Sequence, residues 1–62
     1  MHEWEVKISA AKDKKSLEYK SWVETVKAID KVEAGSTAIV QAMKKMPNYA
    51  VFHIRTIIEV EA

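Results

Sequence analysis

The stretch DKVEAGSTAIVQAMKKM, Asp30 to Met46, decides the fold, because it reads as the only helix of the chain. Asp30 is a favoured N-cap, and Glu33 three residues on completes a capping box. Pro47 and Asn48 stop the helix at Met46. Val32, Gly35, Ile39, Ala42, Met43 and Met46 recur at three- and four-residue steps, which predicts one buried stripe over 31–46. Glu33, Thr37, Gln41, Lys44 and Lys45 take the other face, and Val40 strays toward water. Gly35 lowers helix propensity by about 1 kcal/mol relative to Ala. Its place on the stripe predicts close approach of the helix to a second layer. A lone amphipathic helix cannot bury its stripe, so the flanking segments must supply a surface for it.

Before the helix, Glu3 to Ala10 alternates cleanly, with Trp4, Val6, Ile8 and Ala10 on one side. That is the pattern of a half-buried strand. Ala11 to Ser16 is a charged loop of hairpin length. Leu17 to Ala28 predicts a second strand of imperfect alternation. Leu17, Tyr19 and Val23 share one parity, and Trp22, Val26 and Ala28 the other. A bulge near Ser21–Trp22 would reconcile the halves and turn Glu24 inward. Ile29, just before the cap, is placed to staple the first turn. After the helix, Tyr49 to Val60 predicts a third strand. Its core face would be Ala50, Phe52, Ile54, Thr56, Ile58 and Val60; Tyr49, Val51, His53, Arg55, Ile57 and Glu59 would face away.

The element order is β-β-α-β, an α+β domain spanning residues 1–62. A right-handed crossover through the helix places the third strand beside the first. The expected sheet is antiparallel, ordered 2-1-3, with the helix on one face. The run Val26, Ala28, Asp30, Ala34, Ala38, Ala42 and Met46-Pro47-Asn48-Tyr49 resembles a strand–helix–strand pattern in short hypothetical proteins of phages and mobile elements. This resemblance covers about two-thirds of the chain and implies a fold and an accessory origin, with no active site.

Sixty-two residues allow one small core, and a chain this short is marginal by itself. No cysteine is present, so disulfides and thiolate chemistry are unavailable to it and self-association remains as a remedy. Ten basic and nine acidic residues give a formal charge of +1, too balanced to announce a nucleic-acid or membrane partner. No apolar run reaches transmembrane length and the N-terminus is no signal peptide, so the cytoplasm is the default setting.

Catalytic motifs are missing: no G-x-S-x-G, no H-E-x-x-H, no phosphate-binding glycine loop. The chain therefore reads as non-enzymatic, with no cofactor and no metal site. His2 and His53 carry no ligand-like spacing, and His53 should point away from the helix as a surface or interface residue. Trp4 and Trp22 could stack a ligand as in the flavin-binding dodecins, but the dodecin order β-α-β-β differs. Trp4 fits a core anchor, and Trp22 either core or interface. Met43 and Met46 read as gap-fillers at the end of the stripe.

Two binding readings remain. In the first, the chain is an accessory or regulatory module that binds protein as a homodimer, pairing through its third strand. The helix spans about 24 Å and that strand about 40 Å, so one helix cannot cover it. An uncovered edge invites pairing. A two-fold axis at Ile57 sets Arg55 opposite Glu59 and His53 opposite Glu61, making His53, Arg55, Ile57, Glu59 and Glu61 the candidate interface. In the second, Lys7, Lys12, Lys14, Lys15, Lys20, Tyr49, His53 and Arg55 bind single-stranded nucleic acid on the sheet face away from the helix. Glu3, Glu5, Glu18 and Glu59 would dilute that field, which favours the protein-binding reading.

Overall fold

A computed structural model describes residues 1–60. The elements are β1 (His2–Ala11), β2 (Lys20–Ala28), α1 (Lys31–Lys45) and β3 (Val51–Val60). They form a three-stranded antiparallel sheet ordered β2-β1-β3, with α1 on one face. The expected α+β order and strand arrangement are those observed.

Alternation in β1 decides the two layers. Trp4, Val6, Ile8 and Ala10 are buried under α1, while Glu3, Glu5 and Lys7 stand on the open side. Trp4 is the core anchor expected of it, and its Nε1–H donates to the Ala28 carbonyl at 3.1 Å. A buried indole left without that acceptor would carry a desolvation penalty.

The helix ends are set by local chemistry. Asp30 Oδ1 accepts the Glu33 backbone N–H at 2.8 Å. The Glu33 carboxylate reaches back to the Ile29 N–H at 3.2 Å, one residue before the usual capping-box donor. At the other end Met46 is the C-cap, with its N–H on the Ala42 carbonyl at 2.9 Å, and Pro47 follows. The staple expected of Ile29 does not form a buried contact, since that side chain is exposed.

The buried face of α1 is not the stripe expected from Val32 and Met43. Ala34, Gly35, Ala38 and Ala42 are buried, whereas Val32 is 80% and Met43 54% exposed. Both rows fit helical spacing. Small side chains win because a row of Ala and Gly lets the helix settle close onto Trp4, Val6 and Ile8, where larger residues would hold it off. Gly35 keeps the predicted close approach: a Cβ there would lie 3.2 Å from Ile54 Cδ1 and 3.4 Å from Ile57 Cδ1.

Two strand expectations are corrected. β2 starts at Lys20, so Leu17 and Tyr19 belong to the loop, and β2 pairs with β1 in unbroken register from His2↔Ala28 to Ala10↔Lys20. There is no bulge at Ser21–Trp22; the conflicting parities disappear once Leu17 and Tyr19 leave the strand. The bulge lies in β3 instead. Lys7 pairs with Thr56 and Ile8 with Ile54, which leaves Arg55 as the extra residue. The bulge reverses the facing of β3. Phe52 and Ile54, and beyond it Ile57 and Glu59, lie opposite helix-side residues of β1. Thr56, Ile58 and Val60, expected in the core, lie on the open side.

Glu24 faces inward and is 2% exposed. Its carboxylate accepts from Lys45 Nζ at 2.9 Å and from the Trp22 Nε1–H, so the inward acid is satisfied rather than stranded. Trp22 itself is half-buried against the core.

Candidate functional site

Two surfaces stand out, one on each side of the sheet. The first is the seam between α1 and β3. Gly35 faces Ile54 and Ile57 directly, and Ile39 packs one helical turn on against the core. Val32 and Met43 border that row at helical spacing but stand in solvent, and Ile54 is 39% exposed. The seam is therefore an apolar band that continues outward from the core without a lid.

The second is the hairpin end of the open face. Ser9, in the middle strand, pairs across with Ser21 and His53. The Arg55 Nε–H donates to Ser9 Oγ at 3.0 Å, and the Ser9 hydroxyl is oriented to Ser21 Oγ at 3.4 Å. The guanidinium carbon lies 5.9 Å from the Tyr19 ring centroid, within cation–π range. The turn before Tyr19 is built on Asp13, whose Oδ1 accepts the Lys15 N–H at 2.9 Å and whose carbonyl accepts the Ser16 N–H at 3.3 Å. Lys14, Tyr19, His53 and Arg55 thus border one cleft of about 180 Å³.

The nucleic-acid set expected from sequence is only partly brought together. Lys14, His53 and Arg55 share that cleft, while Lys12, Lys20 and Tyr49 line an adjoining, larger one of about 460 Å³, with Ser16 and Tyr19 common to both. Lys7 stands on the open face and Lys15 on the turn, outside both linings. Trp4, Trp22 and Phe52 are on the helix side, so Tyr19 is the aromatic that Arg55 meets.

The candidate interface set also divides. His53 and Arg55 lie on the open side, and Ile57 and Glu59 on the helix side. Glu61 falls outside the described residues. The Arg55–Glu59 complement of an Ile57-centred pairing is lost, because the bulge puts these two side chains on opposite faces. Glu59 instead pairs with His2 Nδ1 at 2.9 Å.

Sequence reasoning missed Ser9 and Tyr19 as partners of Arg55. The adjacent Ile57-Ile58, two apolar residues where alternation allows one, was the available sign of a bulge. No group of three or more His, Cys, Asp or Glu side chains able to hold a metal ion occurs among the described residues. Among them, too, no helix is long and apolar enough to cross a membrane. No family model, curated protein or solved structure matches the chain.

Proposed function

We propose that this chain is a non-enzymatic accessory or regulatory module of the cytoplasm that works by binding protein, and that two copies associate through the α1–β3 seam. One observation carries the reading. Val32, Met43 and Ile54 expose apolar surface beside a core whose largest fully buried side chains are only Ile8 and Val6. A domain this small is marginal, and removing apolar area from water stabilises it by about 25 cal/mol per Å². A second copy laid against the seam extends the thin core. The bulge at Arg55 interrupts the free edge of β3, a feature that discourages continuous strand pairing. Association therefore runs through side chains of the seam rather than through an Ile57-centred ladder.

Light scattering and sedimentation test this on the unmodified protein and on Val32→Lys and Met43→Glu. Both positions are more than half exposed, so neither change disturbs the folded monomer. The expected result is a dimer for the unmodified chain and monomers of unchanged melting temperature for both variants. A monomer at high micromolar concentration overturns the dimer.

The second reading, single-strand binding on the open face, is favoured by the Arg55–Tyr19 contact and opposed by the placing of both tryptophans and Phe52 under the helix. Heparin retention with a steep salt dependence would support it.

A further inference from the structure

We propose that the cleft beside the β3 bulge is a binding site for a phosphate monoester. Arg55 is the extra residue of the bulge, and a bulge re-aims its side chain away from the regular alternation. The guanidinium is held on two sides. Nε is fixed to Ser9, a residue 3% exposed even though it lies on the uncovered face, and the guanidinium carbon lies over the Tyr19 ring at 5.9 Å from its centroid. Among the described residues no carboxylate pairs with Arg55. Its two terminal nitrogens are left to a ligand, in the fork geometry that matches two oxygens of one phosphoryl group. Holding the guanidinium in place beforehand removes much of the ordering cost of binding.

The surroundings have the charge such a ligand needs. Lys14 and Arg55 supply basic side chains, and His53 adds an imidazole two residues from Arg55. The one carboxylate of the lining, Asp13, is engaged by the Lys15 N–H of the turn. Glu3 and Glu5, the acids of β1, lie toward its other end.

The same geometry separates a monoester from a polynucleotide. A terminal phosphoryl group concentrates close to two charges and three acceptor oxygens at one point, which suits one arginine fork and one lysine. A nucleic-acid backbone requires a track of cations and a row of stacking rings. Lys12 and Lys20 open into the adjoining cleft, which Glu18 also lines, and Glu5 follows Lys7 along the open face, so acids interrupt the track.

The test is a 15N NMR titration of the full chain with phenyl phosphate, using phenol and a short single-stranded oligonucleotide as comparisons. Saturable shifts confined to Ser9, Lys14, Tyr19, His53 and Arg55 are expected for phenyl phosphate, and none for phenol. Arg55→Gln should weaken binding by about tenfold or more, the loss of a charge-assisted pair, with Arg55→Lys intermediate. Lys14→Gln, on an exposed turn that cannot unfold the sheet, should weaken it severalfold and keeps the test open should Arg55→Gln fold poorly. A phosphoserine peptide that binds more tightly than phenyl phosphate assigns the monoester to a modified protein; equal binding assigns it to a small molecule. Shifts scattered over all lysines, binding unchanged in both variants, or binding of the oligonucleotide alone would overturn the proposal.

Discussion

Lys45, in the last turn of α1, reaches across to Glu24 of β2, with 2.9 Å between Nζ and Oε2. The two ends differ in their access to water: Lys45 is 61% exposed and Glu24 only 2%. Removing the lysine leaves a buried carboxylate with the Trp22 indole as its remaining partner. Lys45→Ala should therefore cost about 1–3 kcal/mol. Glu24→Leu frees an exposed lysine and takes the acceptor from the half-buried Trp22 Nε1–H, yet it replaces a buried charge by apolar volume, a swap that is often neutral or stabilising. Denaturant midpoints check this ordering. A Glu24→Leu loss larger than that of Lys45→Ala would show that the pair itself stabilises the fold.

Gly35 gives a prediction in which the size of the new side chain sets the sign. A Cβ would stand 3.2 Å from Ile54 Cδ1, the far end of a flexible and partly exposed side chain. That end can move by a few tenths of an ångström, while alanine gains about 1 kcal/mol of helix propensity. Gly35→Ala should raise the melting temperature. Gly35→Val pushes further against Ile54 and Ile57 and should destabilise by about 1–3 kcal/mol. Thermal melts of both variants decide whether the close approach is as tight as described.

The N-terminal cap can be divided into its two bonds. Asp30→Ala removes the acceptor of the Glu33 N–H and should cost about 1 kcal/mol. Glu33→Ala frees only the Ile29 N–H, which is exposed, and should cost less than half of that. Guanidinium titrations that show equal losses would place the first turn on the glutamate instead.

Leu17 is 96% exposed, in the loop before β2. Leu17→Ser should change stability by no more than about 0.5 kcal/mol, as for surface positions generally. A larger loss by calorimetry would return residues 17–19 to the strand.

How much of this was legible in the sequence differs by element. The helix ends were, because Asp30, Glu33 and Pro47 act on the backbone within one turn. The facing of β1 was, because strict alternation has one solution when one side is apolar. The 2-1-3 order followed from chain connectivity. At the candidate site, Lys14, His53 and Arg55 could be named as cations. Nothing local joined them to Ser9 and Tyr19, which are 46 and 36 residues from Arg55 in the chain.

Determined by the sequence alone, then, were the elements, their order and the burial of β1, all consequences of short-range bonding and of period. Left to the tertiary structure were the phase of α1, the facing of β3 beyond residue 55 and the gathering of the cleft. The helix carries apolar residues over a broad arc, and only contact with Trp4, Val6 and Ile8 selects the Ala34–Ala38–Ala42 row, since small side chains permit the closer packing. In β3 either parity offers isoleucines to the core. The choice between them rests on the pairing with β1, where one unpaired residue, Arg55, turns every later side chain to the opposite face.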